Sequence, residues 1–338
     1  MAAQAAGVDV ARGAVPMVEL WRGGRPESQH RGHAVICDES GEVVAAWGDP
    51  AAVIFPRSSC KMIQALPLLE SGAGDGLEAA QLALACASHQ GSAVHVDAVA
   101  RWLADLALSE PDLRCGAHEP SDRAELARLI RADAAPCQMH NNCSGKHAGF
   151  LMLGRHLRAG PDYVDPDHPV QHAVRAAFEE VTGEQSPGWG IDGCSAPNFA
   201  CSLRGLATAM ARFAAADEGG DARSRAMVRL RSAMSRHPEM VAGDGRACTE
   251  LMRAMDGVAI KTGAEAVFVA ILPASRRGIA LKIVDGGTRA AEAAIVALLA
   301  REGVLDPAHP AARKRLGGPL RNWRGLEVGE IRLAESFA

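Results

Sequence analysis

The chain has 338 residues, 48% hydrophobic and 22% charged, with a formal net charge of -4. That balance suits a folded globular protein and excludes a disordered chain or a basic nucleic-acid coat. Of the 36 basic residues only five are lysine (Lys61, Lys146, Lys261, Lys282 and Lys314), so arginine is the default cation and each lysine invites a question. A lysine amine can be made neutral by its surroundings, whereas a guanidinium effectively cannot.

Residues 1–13, rich in Ala and Gly, read as a disordered leader ahead of a single α/β domain over 14–338. A strand pattern at 15–21 is followed by Gly23-Gly24, and 35–37 with 43–47 read as a hairpin across Asp38-Glu39-Ser40-Gly41. The polar stretch 27–32 reads as a surface turn, and 52–55 as a short strand ending at Pro56. Helical spacing of apolar residues then marks 59–70, 78–87, 92–108, 122–133, 146–158, 168–183, 199–215 and 221–236. Strand patterns return at 258–261, 266–272 and 279–284, followed by a helix at 288–302 and a last strand at 326–333. Strands at both ends around a helical middle predict one sheet assembled from the two termini. Nine scattered cysteines suit reduced thiols better than a disulfide framework. No basic-then-apolar leader is present and no apolar run nears the roughly 20 residues that span a membrane, so the expectation is a cytoplasmic protein without a membrane partner.

Pro56-Arg57-Ser58-Ser59-Cys60-Lys61 carries Ser-x-x-Lys where a loop enters a helix. Residues three apart there share a face, so Ser58 and Lys61 can meet. Such a tetrapeptide is common by chance, and its plain reading is a capped helix with a solvated lysine. Two hundred residues later, Lys261-Thr262-Gly263 lies among strands. The combination matches the arrangement in serine β-lactamases and penicillin-binding proteins, although Ser-Asp-Asn is missing and the sole tyrosine, Tyr163, precedes Val164-Asp165 instead of completing Tyr-x-Asn.

Four further blocks sharpen this. Cys86-Ala87-Ser88-His89-Gln90-Gly91, His140-Asn141-Asn142-Cys143-Ser144-Gly145-Lys146-His147, Gly190-Ile191-Asp192-Gly193-Cys194-Ser195 and Lys261-Thr262-Gly263-Ala264-Glu265 resemble, in family order, the rhizobial-type (class 3) L-asparaginases. The resemblance implies a serine β-lactamase/glutaminase-like α/β fold, with a central antiparallel sheet flanked by helices. It also implies a homodimer and hydrolysis of L-asparagine to L-aspartate and ammonia. Carried across motif by motif, Ser58 with Lys61 and Ser88 with Lys261 form two Ser–Lys pairs. Arg57, His147 and Asp192 line the substrate pocket, and Cys143, Lys146 and Cys194 hold zinc.

Amide hydrolysis needs an activated nucleophile and a proton for departing ammonia. A neutral Lys61 would take the Ser58 proton, Ser58 would attack the carboxamide, and Ser88 with Lys261 would relay protons; Ser88 as nucleophile is the alternative. Ligand statistics alone favour His147 over Lys146, because His and Cys are the usual zinc ligands and Cys143 and His147 are spaced i,i+4. Lys146 must bind as a neutral amine. Cys60, pointing away from both neighbours on a helix, reads as packing. The alternatives in function are a glutaminase or other small-amide or ester hydrolase of this fold, and a non-catalytic zinc or amino-acid-binding protein.

Overall fold

The computed structural model describes residues 9–338. Strands from both ends of the chain join in one eight-stranded antiparallel sheet. Its order is Pro319–Arg321, Glu327–Leu333, Val15–Arg22, Arg25–Asp38, Arg277–Ile283, Val267–Leu272 and Ala259–Thr262, with Val43–Trp47 also paired to Arg25–Asp38. Every residue of Val267–Leu272 is buried, which requires cover on both sheet faces. The Ala-rich helices Leu203–Ala215 and Thr288–Arg301 both pack against it. Gly278 lets the first of these approach, because any side chain there would collide with the backbone at Ala207 and Ala211. The stretch from Lys61 to Arg253 supplies the helical middle. This is the mixed α/β arrangement expected from the sequence, with a central antiparallel sheet flanked by helices.

Four local expectations change. Residues 27–32 are no surface turn but part of the 14-residue strand Arg25–Asp38. Their polarity reflects the exposed half of a ladder whose bonds are made by backbone, not by side chains. The helix expected at 59–70 is broken into a 3₁₀ turn Arg57–Cys60 and the short helices Lys61–Gln64 and Leu66–Glu70. Pro67 explains the break, since it has no N–H to continue the ladder. The helix expected at 199–215 starts at Leu203, where Ser202 caps it by accepting the Gly205 N–H; Cys201–Ser202 instead pairs with Val53–Ile54. Of the expected leader, residues 10–13 form a turn tied to the sheet by His33 Nε2 and the Val10 carbonyl at 2.8 Å, and residues 1–8 lie outside the described residues.

All nine cysteines are free thiols. Among the described residues, no helix is long and apolar enough to cross a membrane.

Candidate active site

Four segments converge beside the sheet edge Ala259–Thr262. That strand carries Lys261. The 3₁₀ turn Arg57–Cys60 packs against it, and Gly263 makes this possible: a Cβ there would lie 2.6 Å from the Pro56 carbonyl oxygen. Ser88 follows the helix Ala79–Ala85, its backbone N–H held by the Val241 carbonyl at 2.8 Å. Cys143 is the residue before the helix Ser144–His156, which carries Lys146 and His147 in its first turn. Gly145 lets that helix close on Leu84, whose carbonyl a side chain would strike. Cys194 sits in the turn joining the paired strands Trp189–Ile191 and Pro197–Phe199.

Lys61 and Lys261 are both buried, and both reach one hydroxyl. Ser88 Oγ is 3.1 Å from Lys61 Nζ and 2.8 Å from Lys261 Nζ. The Lys61 amine also meets the Ala87 carbonyl and, at 3.1 Å, Cys143 Sγ. The expected Ser88–Lys261 pair is therefore present. Among the described residues, by contrast, no hydrogen bond joins Ser58 to Lys61, and none engages the half-buried Ser58 hydroxyl at all. The reason is physical: a buried amine must satisfy its hydrogens, and Ala87, Ser88 and Cys143 offer three acceptors in the interior. Burial, and then the positive charge of Lys61, push Lys261 down to about 7.

The second half of the site is built on sulfur. Lys146 Nζ is 3.1 Å from Cys194 Sγ and lies over the Phe150 ring. A hydrogen bond from Cys143, opposed by burial and reinforced by Lys146, holds Cys194 well below the ordinary thiol range, and the same bond pushes Cys143 up. Burial works against a charge on Lys146, but Cys194 and then Cys143 outweigh it and raise that amine above the usual lysine range. Burial lowers His147 to about 4 against the pull of Cys194.

Tyr163, which sequence reasoning considered only as an absent Tyr-x-Asn base, turns out to organise this half. Its hydroxyl oxygen accepts the Arg114 N–H at 2.8 Å, and the hydroxyl also shares a hydrogen bond with His147 Nδ1 at 3.0 Å. His147 Nε2, the other ring nitrogen, is buried without a hydrogen-bond partner. Among the described residues, no three His, Cys, Asp and Glu side chains group to hold a metal ion. A zinc set here requires the Lys146 amine beside the two sulfurs of Cys143 and Cys194, and that donor set suits a borderline-soft cation.

At the mouth, Arg57 donates to Asp192 Oδ1 at 2.7 and 3.1 Å. Arg57 has a left-handed backbone (φ 53°), and Asn198 holds it by accepting its N–H at 3.2 Å. Cys60 is buried, bonds the Arg57 carbonyl at 3.2 Å and is pushed by burial up to about 12, which agrees with a packing role. His89, also missed although it lies in a quoted motif, bonds Ser144 Oγ at 3.0 Å and so ties the Ser88 loop to the Cys143 helix. Lys282 is also buried, with its amine on the Glu265 carbonyl.

A family model described as L-asparaginase II matches residues 18–333. No curated protein matches the chain. Among solved structures, Mglu in its native form is 13% identical over 86% of this chain and 69% of that one, with a TM-score of 0.45. A beta-lactamase from Mycobacterium bovis is also 13% identical, over 81% and 95%, with a TM-score of 0.43. D-alanine carboxypeptidase AmpC from Burkholderia cenocepacia is 12% identical over 83% and 93%, at 0.33. Likenesses this distant carry no argument.

Proposed function

Because this chain belongs to the L-asparaginase II family, we propose that it is an amidohydrolase converting L-asparagine to L-aspartate and ammonia by Ser–Lys chemistry. The observation that carries the reading is the single hydroxyl, Ser88, held between two buried lysine amines. Ser88 is engaged on both sides and nearly closed to solvent, whereas the Ser58 hydroxyl is half-buried and unengaged, so Ser58 is the group left to attack substrate.

In this scheme Lys261, pushed down to about 7, starts as the neutral amine. It takes the Ser88 proton while Ser88 takes one from Lys61, and the neutralised Lys61, released from the need for three acceptors, turns to Ser58 and receives its proton. Ser58 Oγ bonds to the side-chain carbonyl carbon. As the tetrahedral intermediate collapses, the C–N bond breaks and the nitrogen leaves as ammonia with a proton returned along the relay. Water then cleaves the aspartyl ester with the same groups acting as base and acid.

Arg57 and Asp192 present opposite charges at the mouth, matching the carboxylate and ammonium of a free amino acid. His147 Nε2, buried without a partner, offers the pocket a polar atom for substrate. Cys143, Lys146 and Cys194 would hold zinc, which when bound supplies a positive centre for the substrate's polar groups. A homodimer and a cytoplasmic location complete the proposal. The exposed Phe55, Trp189 and Ile191 support the dimer by offering apolar surface to a second copy, and nine free thiols support a reducing compartment.

The deciding experiment is ammonia release from L-asparagine and, separately, L-glutamine by purified protein, with zinc measured on the same sample and mass by sedimentation. Release from asparagine is the expected result. Release from glutamine alone would make the protein a glutaminase, and release from neither would overturn the hydrolase reading.

A further inference from the structure

Outside this site, a second nucleophile stands in line with a base and a carboxylate. Cys137 Sγ is 3.3 Å from His140 Nδ1, and His140 Nε2 is 3.2 Å from Glu125 Oε1. Arg128 grips both oxygens of Glu125, donating at 2.7 and 3.1 Å. His140 and Glu125 are buried, so the relay is shielded from water, yet Cys137 is partly exposed. It is the only one of the nine cysteines that is not buried.

We propose that Cys137 is a reactive thiol, activated by His140 and Glu125, and a covalent modification site for small disulfides and soft alkylating electrophiles. The geometry supplies each part of the reaction. His140 Nδ1 takes the thiol proton, and Glu125 accepts the Nε2–H of the resulting imidazolium. The freed thiolate attacks one sulfur of a disulfide RS–SR; a Cys137–SR bond forms, the S–S bond breaks, and RS⁻ leaves, later protonated by solvent. No oxidant beyond the disulfide is needed. An alkyl iodide reacts likewise, with iodide as leaving group. The proposal is independent of the amide-hydrolysis reading, since it uses none of its residues.

The ordinary alternative is that Cys137 and His140 merely close a turn, for the Cys137 N–H also points to His140 Nδ1 at 3.1 Å. Kinetics separate the two. Whole protein at pH 7 is treated with limiting iodoacetamide, and in parallel with cystamine, and the labelled peptide is identified by mass spectrometry. The expected result is one fast site, Cys137, reacting about tenfold faster than the same thiol in the urea-unfolded chain. Glu125→Gln brings the rate down to the unfolded value, and Cys137→Ser removes the fast label. A native rate at or below the unfolded one overturns the proposal, as does an unchanged rate in a folded Glu125→Gln protein. The native-to-unfolded ratio needs no variant and stands even if that protein fails to fold.

Discussion

Lys261 and Lys146 are chemically identical side chains, both buried, yet the protein drives them in opposite directions. Lys261 faces a hydroxyl and the like charge of Lys61, and falls to about 7. Lys146 faces Cys194, and rises. Burial disfavours the charged form in both cases, so burial alone cannot set the state of an amine. The neighbour decides: beside a hydroxyl and a like charge the amine is driven toward its neutral form, and beside a sulfur of lowered pKa it is held charged, which is the contrast the proposed relay and the proposed zinc set would use.

Arginine is the sharpest instrument for testing that contrast, because it imposes a permanent charge on either side. Lys261→Arg and Lys61→Arg should fold yet lose at least about a thousandfold in kcat/KM for asparagine. Near-normal turnover in either would break the relay. Cys194→Ser removes the partner that holds Lys146 charged; zinc content should fall to background, with affinity for zinc lowered at least about tenfold to a hundredfold. KM should then rise more than kcat falls, and an unchanged zinc content would disprove the sulfur half.

The contrast also has a pH signature. In the proposed relay Lys261 works as the neutral amine, so kcat/KM should decline as pH drops through about 7, and the plateau should lie above it. Replacing Lys61 by Met removes the like charge, and the Lys261 titration followed by NMR should move to higher pH. Smallest in effect, Gly263→Ala places a Cβ against the Pro56 carbonyl and should cost about 1–3 kcal/mol of stability in a denaturant melt. A larger drop in activity than in stability would show that the strand-to-turn contact aligns Ser58.

Much of the frame is legible in the sequence. Apolar periodicity marked most elements, and the return of strand patterns after residue 257 foretold a sheet closed by the two chain ends. Three side chains named by the motifs, Ser88, Lys61 and Lys261, do meet. What escaped was direction. Ser58 and Lys61 share a face by spacing, but the amine turns inward because only there can all its hydrogens be satisfied. Tyr163 was invisible because its work depends on a single oxygen shared between Arg114 and His147, 49 and 16 residues away. Polar residues 27–32 gave no strand pattern because their exposed half of the ladder needs no apolar side chains.

The lysine census now leads to a practical point about surface chemistry. Lys61, Lys146, Lys261 and Lys282 are all buried, and only Lys314 keeps an exposed side chain, bound to Glu250 at 2.8 Å. Reagents that acylate amines, and supports that couple through them, therefore meet one lysine on the folded surface besides the terminal α-amine, which makes attachment far from random. Immobilised through Lys314, every molecule would hang from the same point and in the same orientation.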